Sequence, residues 1–428
     1  MPENYNFSTL AVHAGQQSDP ATGACATPIY QTASFEFGST EQAARLFNLE
    51  EFGNIYSRLT NPTVAVLENR VTALEGGVGA VAVASGHAAQ FTVFHTLLES
   101  GDEILAANKL YGGSINQMGE SFRKFGWKTT FVEPTAENFR AALNDRVKAI
   151  FIESLANPGG VVTDIAAIAN VAHEAGIILV VDNTLASPYL CRPIEHGADI
   201  VVHSLTKFLG GQGNSIGGII IDSGKFDWMK SDKYPTLTEP CPSYHGMVIG
   251  DVFGAAMGNI AFAIACRVLS LRDIGPCLSP QNAFYILNGI ETLPLRMQRH
   301  SDNALEVAGF LQTHDRVARV SYAGLEGDNY HALQQKYMPK GAGAVMTFGL
   351  KGGYDAGVRM VENVRLFTHL ANIGDTRSLI IHPSSTTHRQ LDEAGQIAAG
   401  AGPDVVRLSV GIEDIRDIIA DLDQALEG

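Results

Sequence analysis

The sequence predicts an α/β chain built on a mostly parallel sheet, followed by a smaller α+β region towards the C-terminus. Three observations carry that expectation. Short apolar runs alternate with amphipathic stretches between residues 80 and 221. The runs are nearly unbroken in Val, Ile, Leu and Ala, as strands covered on both faces require. Beyond about residue 279, helical and strand patterns mix instead of alternating.

Residues 1–65 carry turn formers at Gly23, Pro28, Gly38, Gly53, Asn54 and Pro62 and hold too few apolar residues to bury themselves. We expect an irregular arm that wraps over another surface, such as a partner subunit. Val64, Leu67, Val71 and Leu74 then recur at helical spacing. A strand is expected at 80–84, a turn at Ser85-Gly86 and a helix over 88–98. Further buried strands are expected at 103–106, 129–132, 149–152, 177–181 and 200–202, with a helix at 165–175. Gly217-Gly218 opens one more strand over 219–221. A proline-bearing segment runs from Asp222 to about Leu278. After it come a helix over 279–288, strands at 345–350 and 405–410, and an amphipathic helix over 415–426. The expected division is an arm (1–65), a large cofactor-binding domain (66–278) and a small domain (279–428).

Composition narrows the function. The 428 residues carry a net charge of −15, so no basic field exists to draw nucleic acid or an acidic membrane surface. Cys25, Cys191, Cys241, Cys266 and Cys277 are scattered and odd in number, which argues against a disulfide framework and for a reducing cytoplasm. The opening residues Met1–Tyr5 lack the basic and apolar regions of a secretory leader. No run of about 18 apolar residues is present to span a membrane.

Three strand ends carry polar residues that packing alone does not demand. Ser85-Gly86-His87 ends one strand and opens a helix, where bare N–H groups suit a phosphate. An ordinary strand–helix turn has the same composition. Asp182-Asn183-Thr184 follows an apolar strand; a carboxylate there is costly unless paired, whether as a helix cap or as partner to a cationic ring nitrogen. His203-Ser204-Leu205-Thr206-Lys207 ends the next strand, with Gly210-Gly211 behind it. Lys207 taken alone is as compatible with a solvated lysine. Together the three supply what pyridoxal 5′-phosphate requires: a phosphate anchor, a pyridinium partner and an amine. Competing motifs fail. Gly77-Val78-Gly79 precedes a strand where a dinucleotide loop must follow one, no phosphate-binding P-loop is present, and the histidines form no zinc-binding pattern. No metal is expected.

These stretches, with Tyr56-Ser57-Arg58, Asn61-Pro62-Thr63 and the segment from Arg407 to Glu413, resemble the Cys/Met-metabolism branch of the aspartate-aminotransferase-like (fold type I) pyridoxal-phosphate enzymes. The likeness runs over nearly the whole chain, and within the branch it is strongest to the sulfhydrylases of O-acetylhomoserine. It implies that Lys207 carries the cofactor, that Asp182 faces its ring nitrogen and that Tyr111 stacks on its ring, the three forming the catalytic set. Gly86, His87, Ser204 and Thr206 would hold the phosphate, and Asn157 would face the ring hydroxyl. Tyr56 and Arg58 would reach the phosphate of a neighbouring subunit in a dimer or tetramer. Arg407 would clamp the substrate carboxylate with Ser378 beside it, and Arg377 would repel a second amino acid's ammonium. The segment around 234–257 would narrow the entrance.

The implied activity is γ-replacement: O-acetylhomoserine and sulfide give homocysteine and acetate, in methionine biosynthesis. A cystathionine γ-synthase or methionine γ-lyase would share the same residues, and a decayed, purely binding scaffold is a further alternative. Two departures stand out. His87 replaces the methionine or glutamine of many relatives, and residues 153–158 lack the proline usual between serine and asparagine in the lyases.

Overall fold

The computed structural model describes residues 5–158, 160–390 and 392–428; the residues that bear on a leader, 1–4, lie outside that set. Seven strands form one sheet: β1 (Gly79–Val83), β2 (Glu103–Ala107), β3 (Lys128–Val132), β4 (Val147–Glu153), β5 (Ile178–Asp182), β6 (Ile200–Ser204) and β7 (Gly218–Asp222). Their order is β1-β7-β6-β5-β4-β2-β3. Strands β3, β2, β4, β5 and β6 are parallel, while β7 runs antiparallel to both β6 and β1. Ile178, Leu179, Val180 and Val181 are fully buried, as are Ile150, Phe151 and Ile152 beside them. Each such side chain contributes roughly 2 kcal/mol by leaving water. That is why the runs in the sequence are continuous and not alternating.

A second sheet holds β8 (Val317–Ser321), β9 (Val345–Leu350), β10 (Thr368–His369), β11 (Leu379–Ile381) and β12 (Val405–Ser409), ordered β10-β11-β12-β9-β8. The helices Pro280–Glu291 and Leu293–Thr313 lie between the two sheets in sequence. Arg296, buried on the second of these, donates to the carbonyls of Phe208 (2.9 Å) and Gly289 (2.7 Å) and so ties the turn after Lys207 to this helix.

The arm is less irregular than its composition suggests. It contains helices Phe7–His13 and Thr40–Phe47, the latter capped by Ser39 Oγ, which accepts from Gln42 N at 3.0 Å. Asn61-Pro62-Thr63 is a helix start. Asn61 Oδ1 accepts from Thr63 N, Pro62 takes the first helical position, and the helix Pro62–Glu75 ends at Gly76 with φ +80°. Asn61 Nδ2 also donates to Tyr30 O and Ser57 Oγ, which fixes the arm to the helix. In the segment after Asp222, residues 261–274 are helical, with one wide turn at Cys266–Leu271, and pack against the helix Gly86–Leu97.

Alternation along a strand places neighbouring residues on opposite faces. Asp182 and Ser204 line a cavity at the carboxyl edge, and their neighbours Asn183 and His203 are buried behind it. There Ser154 Oγ donates to Asn183 Oδ1 (2.7 Å), Asn183 Nδ2 donates to Glu75 Oε1 (2.9 Å), and His203 Nε2 lies 2.6 Å from that oxygen. The network joins the ends of β4, β5 and β6 to the end of the helix Pro62–Glu75. His203→Ala should therefore lower stability by about 3 kcal/mol or more, because it strands a buried carboxyl. Thermal melts should show a clearly lower midpoint, whereas Lys230→Ala, in an exposed pair with Asp227, should leave it unchanged.

Candidate active site

The carboxyl ends of β4, β5 and β6 open into a cavity of about 300 Å³, where the chemistry of a parallel sheet is expected to collect. Its floor holds two carboxyls in register, Glu153 on β4 and Asp182 on β5. Asp182 Oδ1 accepts from Thr184 N (3.0 Å) and Thr184 Oγ1 (2.5 Å), and Oδ2 accepts from Gln90 Nε2 (3.2 Å). Glu153 is buried, and it is raised well above the usual carboxylate range by burial and then by the charge of Asp182.

Beyond β6 the chain turns so that Lys207 enters the cavity. Burial, and secondarily the Arg407 guanidinium, push its ammonium down to about 8. Its Nζ donates to Asn372 Oδ1. Thr206 Oγ1 accepts from Gly217 N at 3.1 Å, and Ser204 N donates to Thr184 Oγ1 at 2.9 Å, so the turn is stitched to the strands on either side.

The helix Gly86–Leu97 points its N-terminus into the same space, capped by Ser85 Oγ, which accepts from Ala88 N. Gly86 is required there, since a Cβ would meet Ser204 Cβ at 2.9 Å. Gly218 is required for the same close approach, because its Cβ would overlap the Ser85 carbonyl.

Tyr111 and Arg407 complete the lining. Tyr111 is half exposed, with the His87 ring 5.8 Å away. Arg407, buried on β12, donates from Nη1 to Asn157 Oδ1 and from Nη2 to the Asn372 carbonyl, both at 3.2 Å. Burial pushes it down to about 10, which leaves it a cation at neutral pH.

Nine of the expected residues thus line one cavity: Gly86, His87, Tyr111, Asn157, Asp182, Ser204, Thr206, Lys207 and Arg407, with Ser85 beside them. Four do not line it. Ser378 is fully buried behind β12, where its hydroxyl donates to Glu413 Oε2 and accepts from Gly411 N, both at 2.9 Å. Asn372 holds the place expected of it beside Arg407. Arg377 is turned outward onto Asp375 (3.0 Å) and the Gln212 carbonyl (3.2 Å), so its charge does not face the cavity. Tyr56 and Arg58 lie on the arm; the guanidinium sits 5.3 Å from the Tyr56 ring and donates to the Arg272 carbonyl.

The segment 234–257 also lines none of the cavity. Tyr234 anchors its start to the opposite edge of the sheet, donating to Lys148 O (2.6 Å) and accepting from Ile178 N (3.0 Å), at the amino ends of β4 and β5. Asn372 and Glu153 were not anticipated. Glu153 carries the same signature as Asp182, a carboxyl ending a buried apolar run. Asn372 carries none, because only the packing of the second sheet brings it to Lys207.

A family model described as Cys/Met metabolism PLP-dependent enzyme matches residues 8–427. The chain belongs to that family. An O-acetyl-L-homoserine sulfhydrylase of Leptospira meyeri is 53% identical, covering 100% of this chain and 98% of its own length. A homocysteine synthase of Schizosaccharomyces pombe is 48% identical over 99% of each chain. A crystal structure described as an O-acetylhomoserine (thiol)-lyase of Campylobacter jejuni, carrying a pyridoxyl-lysine phosphate, superposes with a TM-score of 0.95 at 39% identity, covering 99% of this chain and 100% of that one.

The cofactor of this family is pyridoxal phosphate, and the cavity fits it. A glycine-floored helix N-terminus, the half-buried Asp182 carboxylate and an amine of lowered basicity converge in one space. Among the described residues no helix is long and apolar enough to cross a membrane.

Attack on the cofactor aldehyde needs the neutral amine. Borohydride trapping of pyridoxal phosphate on Lys207 in the cofactor-free chain should rise with pH and level off above about 8. Continued increase towards the ordinary lysine value near 10.5 would show that burial does not lower this amine.

Proposed function

We propose that the enzyme replaces the γ-acetoxy group of O-acetylhomoserine with sulfide, giving homocysteine and acetate as a step in methionine biosynthesis. One observation carries the reading: a lysine of lowered basicity, a half-buried carboxylate and a buried guanidinium face one cavity of about 300 Å³. The printed names of the relatives above support it.

Pyridoxal phosphate, when bound, supplies the electron sink for carbanions at the substrate. The chain supplies the rest. Gly86, the His87 backbone, Ser204 and Thr206 would hold the phosphate, Asn157 the ring hydroxyl, and Tyr111 the ring face. Asp182 holds a proton on the ring nitrogen. Arg407 presents a planar fork to the α-carboxylate, which fixes the reacting carbons over Lys207. The Lys207 amine would take the proton at Cα and then one at Cβ as acetate leaves Cγ. Hydrosulfide would form the new C–S bond at Cγ, and Lys207 would return protons to Cβ and Cα. Each such proton placement is typically worth two to four orders of magnitude in rate, roughly.

Sulfide is favoured over an amino-acid thiol by what the walls lack. Leu155, Ile216, Ala371 and Ile373 line the cavity, and its carboxylates, Glu153 and Asp182, lie on the floor. Among the described lining residues no acid remains to pair a second ammonium. With sulfide and cysteine competing at equal concentrations for O-acetylhomoserine, homocysteine should predominate over cystathionine. Cystathionine as main product would replace this reading with a γ-synthase.

We infer further that Tyr56 and Arg58 complete the site of a neighbouring copy, which makes a dimer the smallest active unit and a tetramer a pair of such dimers. Both lie on the turn-rich arm outside their own cavity. Arg58→Ala and Lys207→Ala chains, each inactive alone, should recover activity when mixed under conditions that exchange subunits. Proven hybrids without activity would rule out shared sites. The five cysteines are free, as a reducing cytoplasm keeps them, and we place the enzyme there.

A further inference from the structure

Glu153 is a buried acid on the cavity floor for which the reaction has no assigned use. Its two oxygens reach two different loops. Oε1 accepts the backbone N–H of Tyr111 at 2.7 Å, and Oε2 accepts that of Asn157 at 3.2 Å. The reach follows from topology. Strand β2 lies beside β4, so the loop after β2, carrying Tyr111, emerges next to the end of β4. We propose that Glu153 is a positioning residue: its carboxyl clamps the Tyr111 and Asn157 backbones and thereby sets two of the groups that contact the cofactor and substrate.

The clamp matters most for Tyr111. Tyr111 is 48% exposed, so packing alone does not hold its ring where a cofactor would stack. Asn157 in turn accepts from Arg407 Nη1, so Glu153 stands two hydrogen bonds from the carboxylate-binding fork. Burial and Asp182 favour the neutral acid, which keeps acceptor lone pairs on both oxygens. A neutral Glu153 also leaves the floor's negative charge to Asp182, where the ring nitrogen needs it.

The inference rests on the cofactor reading above, and the test separates the two. Glu153→Gln keeps the volume but turns one acceptor into a donor facing an N–H. Glu153→Asp keeps the acid but shortens it by a methylene, so that it cannot span both amides. In both holoenzymes bound pyridoxal phosphate should remain near one per chain. The visible circular-dichroism band of the cofactor should fall at least about two-fold, kcat about ten-fold or more, and KM for O-acetylhomoserine should rise about three-fold or more.

A lower melting midpoint with dichroism, kcat and KM unchanged would mean a merely structural role and overturn the clamp. So would a fully active Asp variant. If neither variant folds, amide exchange in the wild-type chain decides: the Tyr111 and Asn157 N–H groups should be strongly protected with and without cofactor, and free exchange refutes the proposal. A wild-type chain that takes up no pyridoxal phosphate sinks the cofactor reading, while the exchange result still judges the clamp.

Discussion

A carboxylate at the end of a wholly buried strand is the constraint around which this protein is arranged. Asp182 closes a run of four side chains with no exposure to water. An unpaired charge there would be expensive. Thr184 and Gln90 meet its needs in part with three hydrogen bonds, and in the proposed reading the ring nitrogen of the cofactor would supply the cation. Glu153, one strand over, gives way by favouring its neutral form, because it is buried and the Asp182 charge lies beside it.

The strand edge works because its two sides are used differently. Side chains facing the cavity are left available to ligands, and their immediate neighbours are locked behind it through Glu75, Asn183, His203 and Ser154. Adjacent residues therefore divide the labour of reactivity and rigidity. The close seat of the helix Gly86–Leu97 against β6 and β7 belongs to the same scheme. It brings bare helix N–H groups within the cavity, and it is possible only because positions 86 and 218 lack a Cβ.

The second sheet closes the site from above. Arg407 and Asn372 come from the C-terminal part of the chain, yet one Asn372 residue touches both key cations, Lys207 through its side chain and Arg407 through its carbonyl. The guanidinium also helps lower the basicity of Lys207. One placement thus couples the two cations, and any shift of the small sheet would be felt at the lysine.

The sequence alone determined nine of the strands, because burial on both faces leaves continuous apolar runs; β9 spans the residues expected, the other eight begin and end within two residues of their expected bounds, and the short or partly exposed β8, β10 and β11 leave no such run. It also singled out Lys207, Asp182 and Gly86, which line one cavity, since polar residues ending such runs stand out against them. Glu153 carries the same signal. What only the tertiary structure decided depends on contacts between distant segments. The family resemblance implies Ser378 beside Arg407, whereas Ser378, just before β11, turns its hydroxyl towards Glu413, and Asn372 lies against Arg407 instead. Arg377 faces outward for a local reason that spacing does not reveal, the nearby Asp375 carboxylate. Segment 234–257 starts away from the cavity of its own chain because Tyr234 finds its partners at the amino ends of β4 and β5. Periodicity reports which face of an element is buried, and a polar residue's partner is chosen by whatever the rest of the chain carries to it.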